Sequence, residues 1–147
     1  MAHYFTDENG NLIRVAGGIN VNNSKAKASV SKNTYYGEAI SNTANSRKVI
    51  FSGSFTKAED DTVLHICCGA ERFKTSATVG HLRVLIDDAT ATNVLTSSNS
   101  YLCISSAGIK SGISKGEHTY SLIITGDSGA VATIPAYSSI YLTIQEI

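Results

Sequence analysis

Hydrophobic and polar residues alternate along much of this chain, most clearly between Ser114 and Ile147. After a Lys115-Gly116 turn, His118, Tyr120, Leu122 and Ile124 alternate with Glu117, Thr119, Ser121 and Ile123. That period of two marks a half-buried strand. The polar run Gly126-Asp127-Ser128-Gly129 predicts a reversal, and Val131 to Ile134 a short strand stopped by the only proline, Pro135. From Ser139 the alternation resumes, with Ile140, Leu142 and Ile144 on one face and Tyr141, Thr143, Gln145 and Ile147 on the other. At a sheet edge such a strand would show unpaired backbone groups, so it is predicted to be central or covered by a partner.

Earlier in the chain, Asn9-Gly10 between Tyr4-Phe5 and Leu12-Ile13-Arg14-Val15 signals a hairpin. Residues 20 to 46 turn to Asn, Ser, Ala, Thr and Lys, with only Val30, Tyr35, Tyr36 and Ile40 as large apolar groups. No helical stripe appears there, and the segment is too poor in apolar surface to build a core of its own. Strands follow in quick succession. Val49 to Thr56 alternates; Val63 to Cys68 is apolar on both faces, with Gly69 ending it; Arg72 to Val79 is a looser run. Leu82 to Ile86 is two-sided, Val94-Leu95 is short, and Tyr101 to Ile104 is another strand. The pattern predicts an all-β chain, an antiparallel β-sandwich or jelly roll. Residues 1–46 are predicted to be an extended N-terminal segment, its Asn- and Ser-rich part either a loosely decorated outer layer of the domain or an arm that orders on a partner, and residues 47–147 the sandwich.

At 147 residues one domain with a real core is expected. Twelve Lys and Arg balance twelve Asp and Glu, so nothing favours binding to phosphates, and no nucleic-acid partner is expected. No apolar run reaches the length of a membrane span, so no membrane partner is expected either. The N-terminus lacks the pattern of a signal peptide, which suggests synthesis in a cytoplasm without export by that route.

Chemical motifs are sparse. Cys67, Cys68 and Cys103 lie in apolar runs without metal-ligand spacing and are expected to be buried and inert. His65, His81 and His118 fall in or beside strands and His3 near the start, again with no ligand spacing, so hydrogen-bonded strand histidines are expected. If the acidic turns Glu59-Asp60-Asp61 and Asp87-Asp88 met, their oxygens could bind calcium, but neither has the spaced pattern of a dedicated loop. Gly53-Ser54-Phe55 lacks the second glycine of a nucleophile elbow, and no tryptophan is present to line a sugar-cleaving cleft. No catalytic residue, cofactor or metal is expected, and the chain reads as a non-enzyme. Tyrosine is the informative aromatic: seven of them, against four phenylalanines. Tyr35, Tyr36 and Tyr137 are candidate contacts for a partner or receptor, because tyrosine is apolar with a polar tip.

The final stretch resembles the C-terminal half of the C1q/TNF-like jelly roll found in bacteriophage fibre and adhesin proteins. Lys115-Gly116-Glu117-His118-Thr119-Tyr120, Ala132-Thr133-Ile134 and Leu142-Thr143-Ile144-Gln145-Glu146-Ile147 carry the likeness. The opening Phe5-Thr6-Asp7-Glu8-Asn9-Gly10-Asn11-Leu12 is similar to the start of small phage structural proteins. The resemblance implies a homotrimer with the last strand near its axis, in a virion protein made in the host bacterial cytoplasm: a head or tail fibre, an adhesin or a capsid decoration. The N-terminal segment would then join other virion proteins, and the sandwich would meet a host-surface glycan or protein. Tyr141, Ile147 and Tyr120 are the candidate oligomer interface. Apolar Tyr141 and Ile147 on an outward face fit a covering partner independently of the resemblance. The rival reading is a free-standing carbohydrate-binding lectin or a carbohydrate-active enzyme.

Overall fold

A computed structural model describes residues 4–6, 8–10, 12–14 and 26–147. The strands are β1 (Tyr4–Thr6), β2 (Leu12–Arg14), β3 (Ser29–Thr34), β4 (Ile40–Ser41), β5 (Lys48–Lys57) and β6 (Leu64–Thr75), followed by β7 (Gly80–Ile86), β8 (Ala89–Thr96), β9 (Leu102–Lys110), β10 (Gly116–Gly126), β11 (Ala132–Ile134) and β12 (Ile140–Glu146). Among the described residues there is no helix, and every strand pairing is antiparallel. β1 and β2 form a separate hairpin, with Gly10 at φ +79° in its turn.

The rest is a jelly-roll β-sandwich. One sheet has the order β5-β10-β7-β8, and the other runs β3-β12-β6-β9. Each sheet turns one side chain in two toward the other. Ile50, Phe55, Leu82, Val84, Ile86, Tyr120, Leu122 and Ile124 meet Leu64, Ile66, Cys68, Phe73, Ile104, Ile140, Leu142 and Ile144 in one cluster. β12, the alternating C-terminal strand, is central, hydrogen-bonded to β3 and β6.

Residues 26–46 belong to the sandwich instead of an extended arm, because β3 and β4 pair with β12 and β11. As an edge strand buried on one face only, β3 needs just Val30 and neighbouring small residues, so its composition reads as loop. The portion of the supposed arm at residues 15–25 lies outside the described residues. β6 does not stop at Gly69 but continues to Thr75. A Cβ on Gly69 would sit 2.5 Å from the Tyr141 ring, so the glycine makes room for that ring within an unbroken strand. β9 likewise runs on to Lys110, because Ser105, Ser106, Ala107 and Gly108 pair with β6 despite their small side chains.

Candidate functional site

The register of the β3–β12–β6 sheet produces its most unusual feature. Thr34 and Ile40 pair with Ile140 and Ile134, so the unpaired residues 35–39 and 135–139 face each other across one double break. Pro135 explains one side, since it has no N–H to give to a ladder. On the other side Gly37 lies beside Tyr137, whose hydroxyl would be in ordinary contact, 3.7 Å, with a Cβ there. The break brings together the three tyrosines singled out from sequence. Tyr35 and Tyr137 have ring centroids 6.0 Å apart at 47°. Their exposures are 63% and 68%, whereas Tyr36 is 39% exposed.

This surface is held rigidly. Tyr137 sits at φ +59°, a left-handed conformation that costs a bulky residue energy and persists only where neighbours enforce it. The enforcing contacts come from both sides. Tyr137 N–H donates to the Tyr36 carbonyl at 2.8 Å, and Glu71 N–H donates to the Ser139 carbonyl at 2.9 Å. Arg72 N–H donates to the buried Ser138 hydroxyl at 2.9 Å, and Arg72 Nη2 to the Ala136 carbonyl at 3.2 Å. Tyr36 Oη donates across to the Ile50 carbonyl on β5 at 3.2 Å, tying the break to the second sheet. Buried Asn42 anchors β4 below it, accepting from Ala132 N–H at 2.7 Å and donating to the Ala130 carbonyl at 3.2 Å. Gly37, Arg72 and Ser138 were not singled out from sequence; the one signal near them is Pro135, which stops the alternation before Ser139 resumes it.

The other candidate residues separate. Tyr141 and Ile147 lie outward, 37% and 51% exposed. Tyr120 does not: it is buried at 5% in the core, its ring packed beneath Gly53, so it is no part of an oligomer surface. The inward phase of β10, set by Leu122 and Ile124, dictates that placement. Outward positions of β3, β12, β6 and β9 between Ser29 and Asn33, Tyr141 and Gln145, His65 and Gly69, and Ser105 and Ile109 carry no Asp, Glu, Lys or Arg. Ile109 on that face is 66% exposed.

The cysteines differ from one another. Cys68 is buried, and desolvation pushes its thiol up to about 12, so it is inert. Cys67 is half-buried, 3.8 Å from His65 Nε2, and Cys103 is exposed, because both sit on outward positions of β6 and β9. His81 lies between Asn93 Oδ1 at 3.2 Å and Asp127 Oδ2 at 3.0 Å. His118 Nδ1 donates to Asp87 Oδ2 at 2.6 Å and Nε2 to the Ser114 carbonyl at 2.8 Å, which requires both ring nitrogens to carry protons.

The two acidic turns share one end of the sandwich but do not combine. Asp60 accepts from Lys115 N–H at 2.7 Å, Asp88 pairs with Arg47 at 3.3 Å, and Asp87 is taken by His118 and Thr119. Among the described residues no group of three or more His, Cys, Asp or Glu could hold a metal ion. One carboxylate is used structurally. Glu146, on the inward phase of β12, accepts from the N–H groups of Ala28, Ala58 and Glu59 and from the Thr62 hydroxyl.

No family model matches the chain, and no curated protein matches it. Among solved structures it is similar to the CBM36-1 domain of a multidomain xylanase from the hindgut metagenome of Trinervitermes trinervoides, at 16% identity and a TM-score of 0.41, over 79% of this chain and 95% of that one.

Proposed function

We propose that this protein acts by binding and not by catalysis, and that its ligand is a carbohydrate held on the Tyr35–Tyr137 surface. The observation that carries this reading is the pair of exposed rings fixed at the double break. Sugar rings present flat C–H faces that stack on aromatic rings, while their hydroxyls bond to polar tips such as the tyrosine hydroxyl. A backbone already fixed at the break leaves only side-chain freedom to lose when the rings take a ligand. The carboxylates and histidines found in pairs tie strands to turns, which supports a structural and not a catalytic use for them. The test is a glycan array probed with wild type and with a Tyr35→Ala/Tyr137→Ala double variant of unchanged melting temperature. The expected outcome is selective glycan binding that falls at least tenfold in the variant. Binding to no glycan, or equal binding by both proteins, refutes the reading.

A second reading is favoured by the uncharged outward face of β3, β12, β6 and β9. A monomer gains solubility from charge on such a face; a self-associating one loses nothing by omitting it. On this reading the chain is a homotrimeric phage virion protein, a fibre head, adhesin or capsid decoration, with its C1q/TNF-like sandwiches packed through that face. The segment before β3 would then join it to the particle, and the tyrosines would meet a host-surface glycan. Light scattering on an eluting peak should give three times the chain mass, and Ile109→Glu should reduce it to one. A wild-type monomer refutes the trimer.

A further inference from the structure

Beside the tyrosine surface the two sheets part at their open edge, where β4 and the start of β5 are both edge strands. The gap holds a cavity of about 370 Å³ walled by Tyr36, Ile40 and Val49, with Glu38 and Lys48 also lining it. That volume is in the range of small-ligand pockets. Tyr36 belongs to both places, following Tyr35 in the break and forming a wall of the cavity. Among the described residues the side chains of Glu38 and Lys48, both exposed at the mouth of the cavity, have no hydrogen-bond or ion-pair partner within the protein, in contrast to Arg47 and Asp88.

We propose that this cavity takes the acetamido group of an N-acetylated sugar whose neighbouring ring lies on Tyr35 and Tyr137. The proposal rests on the carbohydrate reading above and names the class of sugar. A carboxylate can only accept hydrogen bonds and an ammonium can only donate them. A ligand group that satisfies both must offer a donor and an acceptor, and the apolar walls ask for a methyl beside them. The acetamido group has those three parts together: N–H toward Glu38, C=O toward Lys48, and CH₃ against Ile40 and Val49. A plain hydroxyl at the same ring position would place a polar group against that wall and leave part of it wet.

Isothermal titration with triacetylchitotriose and with cellotriose isolates the group, because the two share a β-1,4 backbone and differ at the acetamido position. The acetylated sugar should bind at least tenfold more tightly. Lys48→Met and Glu38→Gln should each narrow that preference by weakening the acetylated sugar more than cellotriose, whereas Tyr35→Ala should weaken both sugars alike. Equal affinity for the two sugars overturns this inference and leaves the carbohydrate reading standing. Binding to neither overturns it as well, and the glycan array then decides whether the carbohydrate reading falls with it. A preference that survives both Lys48→Met and Glu38→Gln places the acetamido group elsewhere and also overturns the proposal.

Discussion

Replacing Glu146 by glutamine should loosen one whole end of the sandwich. The carboxylate is 3% exposed and accepts four hydrogen bonds. Oε2 takes the N–H groups of Ala28 and Ala58, both at 2.9 Å, while Oε1 takes Glu59 N–H at 3.0 Å and the Thr62 hydroxyl at 2.5 Å. It thus fastens the start of β3, the end of β5 and the β5–β6 turn to the last strand. Buried Lys57 supports the same turn by donating to the Glu59 carbonyl and to the Thr62 hydroxyl. Glutamine has one oxygen where the carboxylate has two. Its least damaging orientation keeps Ala28 and Ala58 and turns the amide NH₂ toward Glu59 N–H and Thr62, whose hydroxyl can rotate to accept. One part-buried N–H is then orphaned and two charge-assisted bonds become neutral, a loss of about 2–4 kcal/mol.

The ionisation of the group gives a second bound. Burial pushes the carboxyl up, but the bonds from Ala28, Ala58, Thr62 and Glu59 outweigh it and hold the group down at about 2, against an ordinary 4.5. That interval corresponds to at most about 3 kcal/mol, less what solvent screening removes. A depressed acid contributes stability that is present above its unfolded value and is lost as pH falls through its folded one. Wild type should therefore lose stability between pH 4.5 and about 2, and Glu146→Gln should lack this contribution to the slope. Urea unfolding followed by far-ultraviolet circular dichroism at pH 7 and pH 3 measures both effects. A variant within about 0.5 kcal/mol of wild type at pH 7, with the acid slope unchanged, would refute the reasoning, since that is the scatter of a neutral surface substitution.

Other consequences concern single contacts. The hydrogen bond to Asp87 holds the His118 imidazole above its ordinary 6.5, partly opposed by burial, and the Ser114 carbonyl adds to the rise. Because the folded value is raised, the latch contributes fully below pH 6.5 and is lost as pH climbs through the folded value. An NMR titration of the ring should find it charged above pH 6.5, and Asp87→Asn should bring its midpoint down; an unmoved midpoint would deny the pairing. Gly53→Ala would place a Cβ 2.7 Å from Tyr120 Oη and 2.9 Å from its ring in the packed core, costing about 1–3 kcal/mol by thermal unfolding. Gly69→Ala meets the Tyr141 ring just as closely, but that ring is at the surface and can swing away, so its cost should be the smaller; the reverse order would contradict the packing described.

Much of this fold was legible from alternation, because a period of two is the geometry of a strand with one buried face. The C-terminal strand shows how far that reaches, and where it stops. Its inward set Ile140, Leu142 and Ile144 was plain, and the same phase places Glu146 inward, yet a lone glutamate beside isoleucines does not announce the four donors that await it. Tyr120 is the converse: its phase on β10 already implied the core, and the polar tip of tyrosine suggested a surface. Where side chains are small the signal fades altogether. β3 pairs along its full length with Val30 as its one apolar residue, and Ser105 to Gly108 of β9 pair through Ser, Ala and Gly, so both add little apolar surface to read. The tyrosine surface was half legible. Each residue could be singled out, but their meeting depends on two breaks sharing one register 100 residues apart, which is a property of the folded ladder.

The central claim is that ligand is held at the double break and the cavity beside it. A titration of ¹⁵N-labelled protein with a glycan that it binds, read residue by residue as amide shifts, tests this most directly. The expected shifts cluster at residues 35–41, 48–50, 71–72 and 136–139, and the Tyr35→Ala/Tyr137→Ala variant should abolish them together. Shifts gathered instead on the outward face of either sheet, with the tyrosine amides unmoved, would contradict the account.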